Sequence, residues 1–413
     1  MTKLKQLVIG TPQGLSGDLR KESRYVFNYS TNEKRCEISL TMPLRAESYS
    51  SGGLLPIFEM NRPEGYLLSK IEEAMAKQGH LDEMRLLAIV GRAQIGRLTF
   101  TASDQEAVSL RGGIGLHEIL TTQPTSEFFD FLLANYFESG ISGVQPKVTL
   151  PDAGRATNLS ERTTVVQPHL IVKAGTDDYP HLTQNEFLCM SAAKRAGIPV
   201  PDFWLSADGG LFVLDRFDRT HTAQLGFEDM AVLMGKSARS KYEGSYEGIA
   251  KAIRLYCADA DPAGELQRFF EYIAFSVMVR NGDGHLKNFG LLYESPSAVD
   301  SIRLAPLYDV VTTSIYGSTS LLTGITKYDR TLALNLAKSK SYPDRATLID
   351  FGARTCGVPR PELVLERIAE AMTATLPELE DRIDEQLLAQ MRAEWETGAR
   401  LASTPGTVGV RAG

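Results

Sequence analysis

The spacing of hydrophobic and polar positions predicts a chain that mixes helices with short strands. Apolar residues recur every three or four positions in the segments expected to form helices; these are 66–78, 81–90, 127–138, 183–196, 227–234, 246–258, 264–281 and 361–396. Short runs rich in apolar and β-branched residues predict strands; these are 3–10, 36–44, 148–150, 165–173, 211–217, 289–293 and 302–308.

The order of these elements predicts an α+β protein with a two-lobed core. Residues 1–110 form an N-terminal α+β module, 125–220 a strand-rich small lobe and 221–396 a helical large lobe, and 397–413 are expected to fray. A cleft is expected between the two lobes, since ligand sites favour such junctions.

Composition narrows the class of protein. Of 413 residues, 43% are hydrophobic and 23% charged, which is typical of a globular protein. The net charge of −7 argues against a chain that grips nucleic acid by itself, because phosphate binding needs clustered Lys and Arg. It leaves open contact with DNA through a basic partner.

The cysteines and the apolar windows indicate a cytoplasmic protein with no membrane contact. Cys36, Cys189, Cys257 and Cys356 are too far apart for a zinc-binding spacing, so buried thiols in a reducing compartment are expected. The most apolar window, 269–279, is too short to cross a bilayer.

The segment 281–288 (NGDGHLKN) carries the clearest chemical pattern. Asp283 is followed five residues later by Asn288, between an apolar helix and a predicted strand. This is the spacing of a kinase catalytic loop, in which the Asp accepts the proton of an acceptor hydroxyl and the Asn helps to hold Mg²⁺. Taken alone, the same residues also suit a surface turn.

Four further features stand before and after this segment in the order that a kinase requires. They are a small-residue loop at 139–147, Lys173 at a strand end, Glu186 in the next helix, and Asp309 after a strand pair. A Lys–Glu pair and a second Asp serve ATP phosphates and Mg²⁺ in kinases. Each feature has an ordinary structural alternative, but their joint order favours phosphoryl transfer.

With these motifs the sequence resembles the HipA-type serine/threonine kinases, the toxins of bacterial toxin–antitoxin pairs. The resemblance covers about residues 3 to 395. The stretches that carry it are ISGVQPKV (141–148), HLIVK (169–173), NEFLCMSAAKRAGIPVP (185–201), LFVLDRFDR (211–219), FEDMAVLMG (227–235), NGDGHLKNFGLL (281–292) and LAPLYDV (304–310).

The resemblance implies ATP and Mg²⁺ as cofactors and a role for each matching residue. Asp283 is the implied catalytic base, Asn288 and Asp309 are the implied Mg²⁺ ligands, and Glu186 is expected to support Lys173. The implied ATP-binding set comprises Ser142, Gly143, Val144, Gln145, Pro146, Lys147, Lys173, Asp215, Arg216, Phe217, His285, Lys287, Asn288, Tyr308 and Asp309. Within it, Asp215 to Phe217 form the hinge beside adenine.

Two motifs depart from the expected pattern: the residues before the catalytic Asp, and the phosphate loop. Asn281 and Gly282 stand where ordinary protein kinases have His-Arg before the catalytic Asp, and the family shares this departure, with a His after the Asp as His285 is here. Members inactivate themselves by phosphorylating a serine of the phosphate loop. Gly140 occupies one of the two known places, so Ser142 is the candidate for autophosphorylation.

Family resemblance also implies partners. A small helix-turn-helix antitoxin (HipB-like) is expected to contact the N-terminal module and to provide the link to DNA. The implied acceptor is a translation component such as an aminoacyl-tRNA synthetase. The stretch 234–256, with five Lys/Arg against two Glu, is either a solvated face or a surface for that acceptor. Two alternatives stay open: a small-molecule or lipid-type kinase, and an inactive kinase fold that serves as a co-repressor binding module.

Overall fold

The structure is a computed structural model in which part of the chain is described. The described residues are 4–63, 68, 71–72, 75, 81–91, 94–102, 116–121, 163–166, 169–175, 179–220, 222–319, 326–328 and 330–403. They divide into two compact units. The first lies within Met1–Thr183, Asp202–Lys241 and Gly290–Ala305, and the second within Gln184–Pro201, Tyr242–Phe289 and Pro306–Gly413. Across the described ranges, no helix combines the length and the apolarity that a bilayer crossing requires.

Strands occur in both units. In chain order they are β1 (Gln6–Thr11), β2 (Gly14–Lys21), β3 (Tyr25–Tyr29), β4 (Tyr49–Ser51), β5 (Thr99–Ala102), β6 (Thr163–Val166), β7 (Leu170–Ala174), β8 (Phe203–Leu205), β9 (Leu211–Asp215), β10 (Gly226–Asp229), β11 (Gly290–Tyr293), β12 (Arg303–Leu304), β13 (Gly317–Thr319), β14 (Thr326–Tyr328), β15 (Thr331–Leu336) and β16 (Ser339–Ser341).

The longer helices belong mostly to the second unit. In chain order the described helices are α1 (Pro56–Glu59), α2 (Glu83–Val90), α3 (Leu116–Thr121), α4 (Leu182–Arg195), α5 (Met230–Leu233), α6 (Tyr246–Tyr256), α7 (Pro262–Met278), α8 (Arg345–Asp350), α9 (Pro361–Glu378) and α10 (Glu385–Ala399). The expected mixture of strand-rich and helical parts is therefore confirmed.

The described part of the first unit contains three antiparallel sheets. Their strand orders are β4-β3-β2-β1-β5, β6-β7-β9-β8 and β10-β11-β12. On β1 the inward side chains Leu7 and Ile9 are fully buried, as the two-residue period of a half-buried strand requires. An aromatic row covers this face, with Phe58 of α1 lying 5.7 Å from both Phe27 and Phe100 between ring centroids.

Helix α2 of the N-terminal module and the four-stranded sheet share an apolar core. Helix α2 contributes Leu86, Ile89 and Val90 to a cluster that also contains Val172 of β7 and Val213 of β9. All five side chains are at most 6% exposed. Pieces of the first unit that are far apart in the sequence therefore contribute to one apolar core.

A buried carboxylate adds a polar tie inside this unit. Glu228 on β10 is fully buried and accepts hydrogen bonds from Ser39 Oγ (2.6 Å), the Leu40 N–H (2.7 Å) and Tyr293 Oη (2.6 Å). Burial raises the pKa of Glu228 to about 7, even though the three hydrogen bonds favour the charged form.

A second polar tie is a buried ion pair. Asp218 accepts from Arg216 Nε at 2.9 Å and Nη2 at 2.6 Å, and both side chains are 1% exposed. The same carboxylate accepts the Gly96 N–H at 2.8 Å. Asp218 therefore accepts hydrogen bonds both from the N-terminal module, through Gly96, and from the chain after β9, through Arg216. A buried charge requires such partners.

The second unit is built around α7, whose side chains are buried on nearly every face. Helix α10 approaches it closely at Gly398, where an added Cβ would lie 1.7 Å from the Met278 carbonyl oxygen. One turn earlier on α10, Trp395 is 1% exposed and donates from Nε1 to Thr312 Oγ1 at 2.9 Å. These contacts connect the helices to the segment that follows Asp309.

Several predicted elements differ from the structure. Segment 36–44 is not a strand, because its backbone is held by side chains such as Glu228 instead of by a neighbouring strand. Segment 227–234 begins as β10 before it becomes α5. The single strand expected at 165–173 is a pair, β6 and β7, and the helix expected at 361–396 is interrupted to give α9 and α10.

The thiols are buried, as the sequence predicts. Cys36, Cys189, Cys257 and Cys356 are free and buried. Burial raises the pKa of Cys189, Cys257 and Cys356 to about 12. Since the thiolate is the reactive form, these three cysteines are poor nucleophiles at neutral pH.

Removing the Asp218 carboxylate should destabilise the first unit. Asp218→Ala leaves the Arg216 guanidinium buried without its counter-charge, which typically costs about 3–5 kcal/mol. Denaturant unfolding measures the loss, and Asp300→Ala, which removes an exposed aspartate of the same unit, serves as the control. Equal stability of the two variants would contradict the role given to Asp218.

Glu228 should make stability depend on pH. Its pKa is about 7 in the folded protein and about 4.5 when unfolded, so the folded state binds the proton more tightly. The stability it contributes is fully present below pH 4.5 and is lost as the pH rises through 7. Glu228→Gln should remove this dependence. The difference in unfolding free energy between the wild type and Glu228→Gln should therefore change by on the order of 3 kcal/mol between pH 4.5 and 8. If the wild type and Glu228→Gln gave parallel profiles of unfolding free energy against pH, Glu228 would not be the source of this pH dependence.

Candidate active site

The Asp-x4-Asn loop leaves helix α7 through a sharp turn. Arg280 has a φ of 59°, in the left-handed region that costs a non-glycine residue energy. The next residue, Asn281, donates its N–H to the Ser276 carbonyl at 2.8 Å. Helix α7 therefore ends in a hydrogen-bonded turn, and the loop starts at a fixed point.

Hydrogen bonds within the loop fix its shape. The Asp283 N–H donates to Asn281 Oδ1 at 3.0 Å, and the His285 N–H donates to both the Asp283 carbonyl (2.8 Å) and Asn288 Oδ1 (3.1 Å). Asn288 closes the turn by donating its own N–H to the His285 carbonyl at 3.0 Å. The loop is therefore a folded unit in which Asn281 and Asn288 are structural as well as candidate functional residues.

Gly282 is required by close approach to neighbouring chain segments. A Cβ at this position would lie 2.5 Å from the Thr331 carbonyl oxygen and 2.9 Å from Thr313 Oγ1. The Gly282 N–H donates to that hydroxyl at 2.6 Å, and Thr313 Oγ1 in turn donates to the Arg280 carbonyl at 3.2 Å. The missing side chain thus lets Thr313 hold the loop just before Asp283.

The second candidate metal ligand lies beside the first. Asn288 Nδ2 donates to Asp309 Oδ2 at 2.8 Å. Asp309 has a φ of 60°, and the preceding Tyr308 donates its hydroxyl to the Lys287 carbonyl at 2.8 Å. Left-handed backbone outside glycine is often found at functional sites, where the surrounding contacts stabilise it.

Helix α4 also helps to fix the segment after Asp309. Asn185 Oδ1 accepts the Thr312 N–H at 2.8 Å, and Asn185 Nδ2 donates to the Thr312 carbonyl at 3.0 Å. This amide pairs with the backbone as a second strand would, and Asn185 is fully buried. Asn185 was not among the sequence-predicted site residues, although it begins the NEFLC stretch.

The donor set fits a hard divalent cation shared with phosphate oxygens. One carboxylate and one amide, hydrogen-bonded to each other, are the ligand types that Mg²⁺ takes from proteins. Within the described part of the chain, no three His, Cys, Asp or Glu side chains are grouped as a metal site. Such a group is not needed where phosphates and water complete the coordination.

The structure adds Tyr242 to the site, a residue that the sequence motifs did not include. Its hydroxyl donates to Asp283 Oδ1 at 3.0 Å, and its ring meets the His285 ring edge-on at 5.0 Å between centroids. The only sequence signal is an aromatic residue inside the basic stretch 234–256. The boundary between the two units falls inside that stretch, between Lys241 and Tyr242.

Lys173 and Glu186 are both buried, but they belong to different units. Lys173 lies on β7, is 7% exposed, and has its Nζ 5.9 Å from the centroid of the Phe212 ring. Glu186 lies on α4 and is 1% exposed. Burial of both charged groups is what a functional pair requires, and their pairing stays a prediction.

The proposed hinge begins at the end of β9. Burial and the nearby charge of Asp202 raise the pKa of Asp215. The Arg216 side chain binds Asp218 in the interior, and its N–H donates to the His169 carbonyl at 2.9 Å. Phe217 contacts the Phe227 ring edge-on. The predicted phosphate loop, Ser142 to Lys147, lies outside the described residues.

Comparison with known proteins agrees with this architecture. Residues 7–101 match the family model of the HipA N-terminal domain, and residues 139–379 match that of the HipA-like C-terminal domain. "Putative kinase Y4mE" of Sinorhizobium fredii is 27% identical over 317 residues, 69% of this chain and 70% of that protein.

Two further relatives are matched over shorter parts. "Putative kinase Y4dM" of the same organism is 29% identical over 185 residues, 41% of each chain. A "Putative kinase" of Haemophilus influenzae is 31% identical over 191 residues, 43% of this chain and 53% of the relative. This chain therefore spans less than two thirds of the length of each of these two relatives.

A solved structure shows the same fold over nearly the whole chain. HipA of Shewanella oneidensis, solved in a complex with HipB and operator DNA, superposes with a TM-score of 0.65 at 16% identity and covers 96% of both chains. Because the HipA-like C-terminal model alone matches more than half of the 413 residues, the chain belongs to the HipA family.

Proposed function

We propose that this protein is a Mg²⁺- and ATP-dependent serine/threonine-protein kinase. The observation that carries the proposal is the 2.8 Å hydrogen bond between Asn288 and Asp309, made by the same folded loop that presents Asp283. The loop carries the carboxylate base and the amide, and a second carboxylate on a separate segment is hydrogen-bonded to that amide. These are the parts that phosphoryl transfer to a hydroxyl needs.

Asp283 is the proposed catalytic base. Its carboxylate is half-buried, so an acceptor hydroxyl can reach it from solvent. It would orient that hydroxyl and accept its proton as the oxygen–phosphorus bond forms. The internal hydrogen bonds of the loop keep the carboxylate in place before the acceptor arrives, which lowers the entropic cost of the reactive geometry.

Asn288 and Asp309 are the proposed holders of Mg²⁺. A bound Mg²⁺ would neutralise charge that builds up on the phosphate oxygens in the transition state. Asp309 supplies the full negative charge, and Asn288 adds an oxygen without a second repulsive charge. Their mutual hydrogen bond aligns the two side chains in advance.

The remaining nucleotide contacts follow from family membership. We propose that Lys173, supported by Glu186, binds ATP phosphates and that Ser142 to Lys147 cover them. Asp215 to Phe217 would contact adenine, with His285, Lys287 and Tyr308 completing the site. Autophosphorylation at Ser142 belongs to the same proposal. A phosphate there adds about −1.5 to −2 charges beside the triphosphate and would oppose ATP binding.

The proposed biological role is that of the cytoplasmic toxin of a toxin–antitoxin pair. The Shewanella protein was solved together with HipB and operator DNA, which supports a HipB-like antitoxin as partner here. The net charge of −7 agrees with contact to DNA through that partner. The proposed acceptor is a translation component, such as an aminoacyl-tRNA synthetase.

Asp283→Asn should abolish phosphoryl transfer while ATP still binds. The amide cannot accept the proton, and loss of a general base typically costs about 10²–10⁴-fold in rate. The measurement is the incorporation of γ-labelled phosphate from Mg-ATP into proteins of a heat-treated bacterial extract. Asp259→Asn, which changes an exposed aspartate of the same unit, is the control.

The form of the labelled product tests the alternatives to a protein kinase. Label in small molecules or lipids alone would indicate the small-molecule or lipid-type kinase, and an absence of transfer by the wild type would indicate an inactive binding module. Turnover by Asp283→Asn at the wild-type rate would show that Asp283 is not the base.

Asp309→Asn should weaken Mg-ATP binding more than Asn288→Ala does. Asn tolerates the left-handed backbone at 309, so this variant removes the charge without adding strain. We expect a loss of about tenfold or more in affinity, since tenfold corresponds to about 1.4 kcal/mol. Calorimetric titration with and without Mg²⁺ measures it. Unchanged affinity and activity in Asp309→Asn would rule out this metal site.

A further inference from the structure

Tyr242 makes a contact with the proposed base that no motif of the chain explains. Its hydroxyl donates to Asp283 Oδ1 at 3.0 Å. The edge-on contact with His285 places the ring over the loop that carries the base. The side chain is 44% exposed, so hydrophobic burial alone does not account for its position.

The backbone around Tyr242 is held to the hairpin formed by β15 and β16. Lys340 Nζ donates to the Tyr242 carbonyl at 3.3 Å, and the Asn335 N–H donates to the Gly244 carbonyl at 3.2 Å. Ser245 then caps α6 by accepting the Gly248 N–H at 3.2 Å. The phenol therefore projects from a fixed segment, which a residue that positions another side chain requires.

The same hairpin also contacts the catalytic loop. The Thr331 carbonyl oxygen lies 2.5 Å from the point where a Cβ of Gly282 would stand. The hairpin thus connects the chain at 242–245 with the residue before Asp283. Both partners of the phenol–carboxylate hydrogen bond are carried by segments that rest on this hairpin.

The orientation of the Asp283 carboxylate is set by the groups that hydrogen-bond to it. Among the described residues, Tyr242 is the one side chain that hydrogen-bonds to it, while the other bonds of Asp283 use its backbone. A hydrogen bond to one carboxylate oxygen restricts rotation of the carboxylate about its bond to the side chain. The other oxygen then points in a defined direction. That second oxygen is the atom available to an acceptor hydroxyl.

We propose that Tyr242 is a positioning residue that holds Asp283 through Oδ1 so that Oδ2 receives the acceptor hydroxyl. This inference rests on the proposed function of Asp283 as the base. It assigns Tyr242 no contact with ATP. Its effect should therefore fall on the transfer step and leave nucleotide affinity unchanged.

Tyr242→Phe tests the role, because it removes the hydroxyl and keeps the ring. In the labelled Mg-ATP assay with heat-treated bacterial extract, the rate at saturating ATP should fall about tenfold, the order expected for loss of a hydrogen bond to a charged group. The KM for ATP and the thermal midpoint should not change. Tyr328→Phe, at an exposed tyrosine of the same unit, should behave as wild type.

Each other result contradicts the inference in a distinguishable way. An unchanged rate would show that the phenol positions nothing. A faster rate, or label found on Tyr242 by mass spectrometry, would show that its hydroxyl occupies the acceptor's place. A lower thermal midpoint with a higher KM for ATP would indicate a general structural role. If the wild type transfers no phosphate, the proposed function itself fails, and the inference fails with it.

Discussion

The hydroxyl of Thr313 is the point on which the geometry of the site depends. It accepts the Gly282 N–H and donates to the Arg280 carbonyl, so one side chain joins the loop of Asp283 to the segment that follows Asp309. Neither described segment is an α-helix or a strand at this point, so side chains must hold the backbone in place. Each is preceded by a non-glycine residue with left-handed backbone, Arg280 before the loop and Asp309 before the second segment. The surrounding hydrogen bonds must offset the energetic cost of that backbone. Irregular backbone and dense side-chain bonding thus occur together where the candidate chemistry lies.

In the first unit, buried polar groups connect parts of the chain that the sequence separates widely. Glu228 receives its donors from residues 39, 40 and 293, and Asp218 receives the Gly96 N–H. Together with the apolar core that α2 shares with β7 and β9, these bonds connect the N-terminal module to the rest of the first unit. A partner that binds the N-terminal strands therefore acts on a body that also carries Lys173.

The sequence predicts those parts of the site that lie close together along the chain. Asp283 and Asn288 are five positions apart, and both lie in one loop that internal hydrogen bonds hold together. Contacts between distant residues could not be predicted: Tyr242 meets Asp283 across 41 positions, and Asn185 meets Thr312 across 127. The same limit explains the errors in the fold. Segment 227–234 has helical spacing, yet it starts as a strand because Glu228 pairs with β11 and with the chain at 39–40. Segment 36–44 alternates like a strand but is held by side chains.

The burial of the four cysteines has a practical consequence for experiments on this protein. All four thiols are enclosed, and three of them have a pKa raised to about 12, so maleimide reagents at neutral pH will find few thiolates to attack. A cysteine introduced at an exposed position would then be the group that reacts. Fluorescent or spin labels could be placed on either unit without first replacing the native cysteines, and the distance between the units could be measured directly in solution.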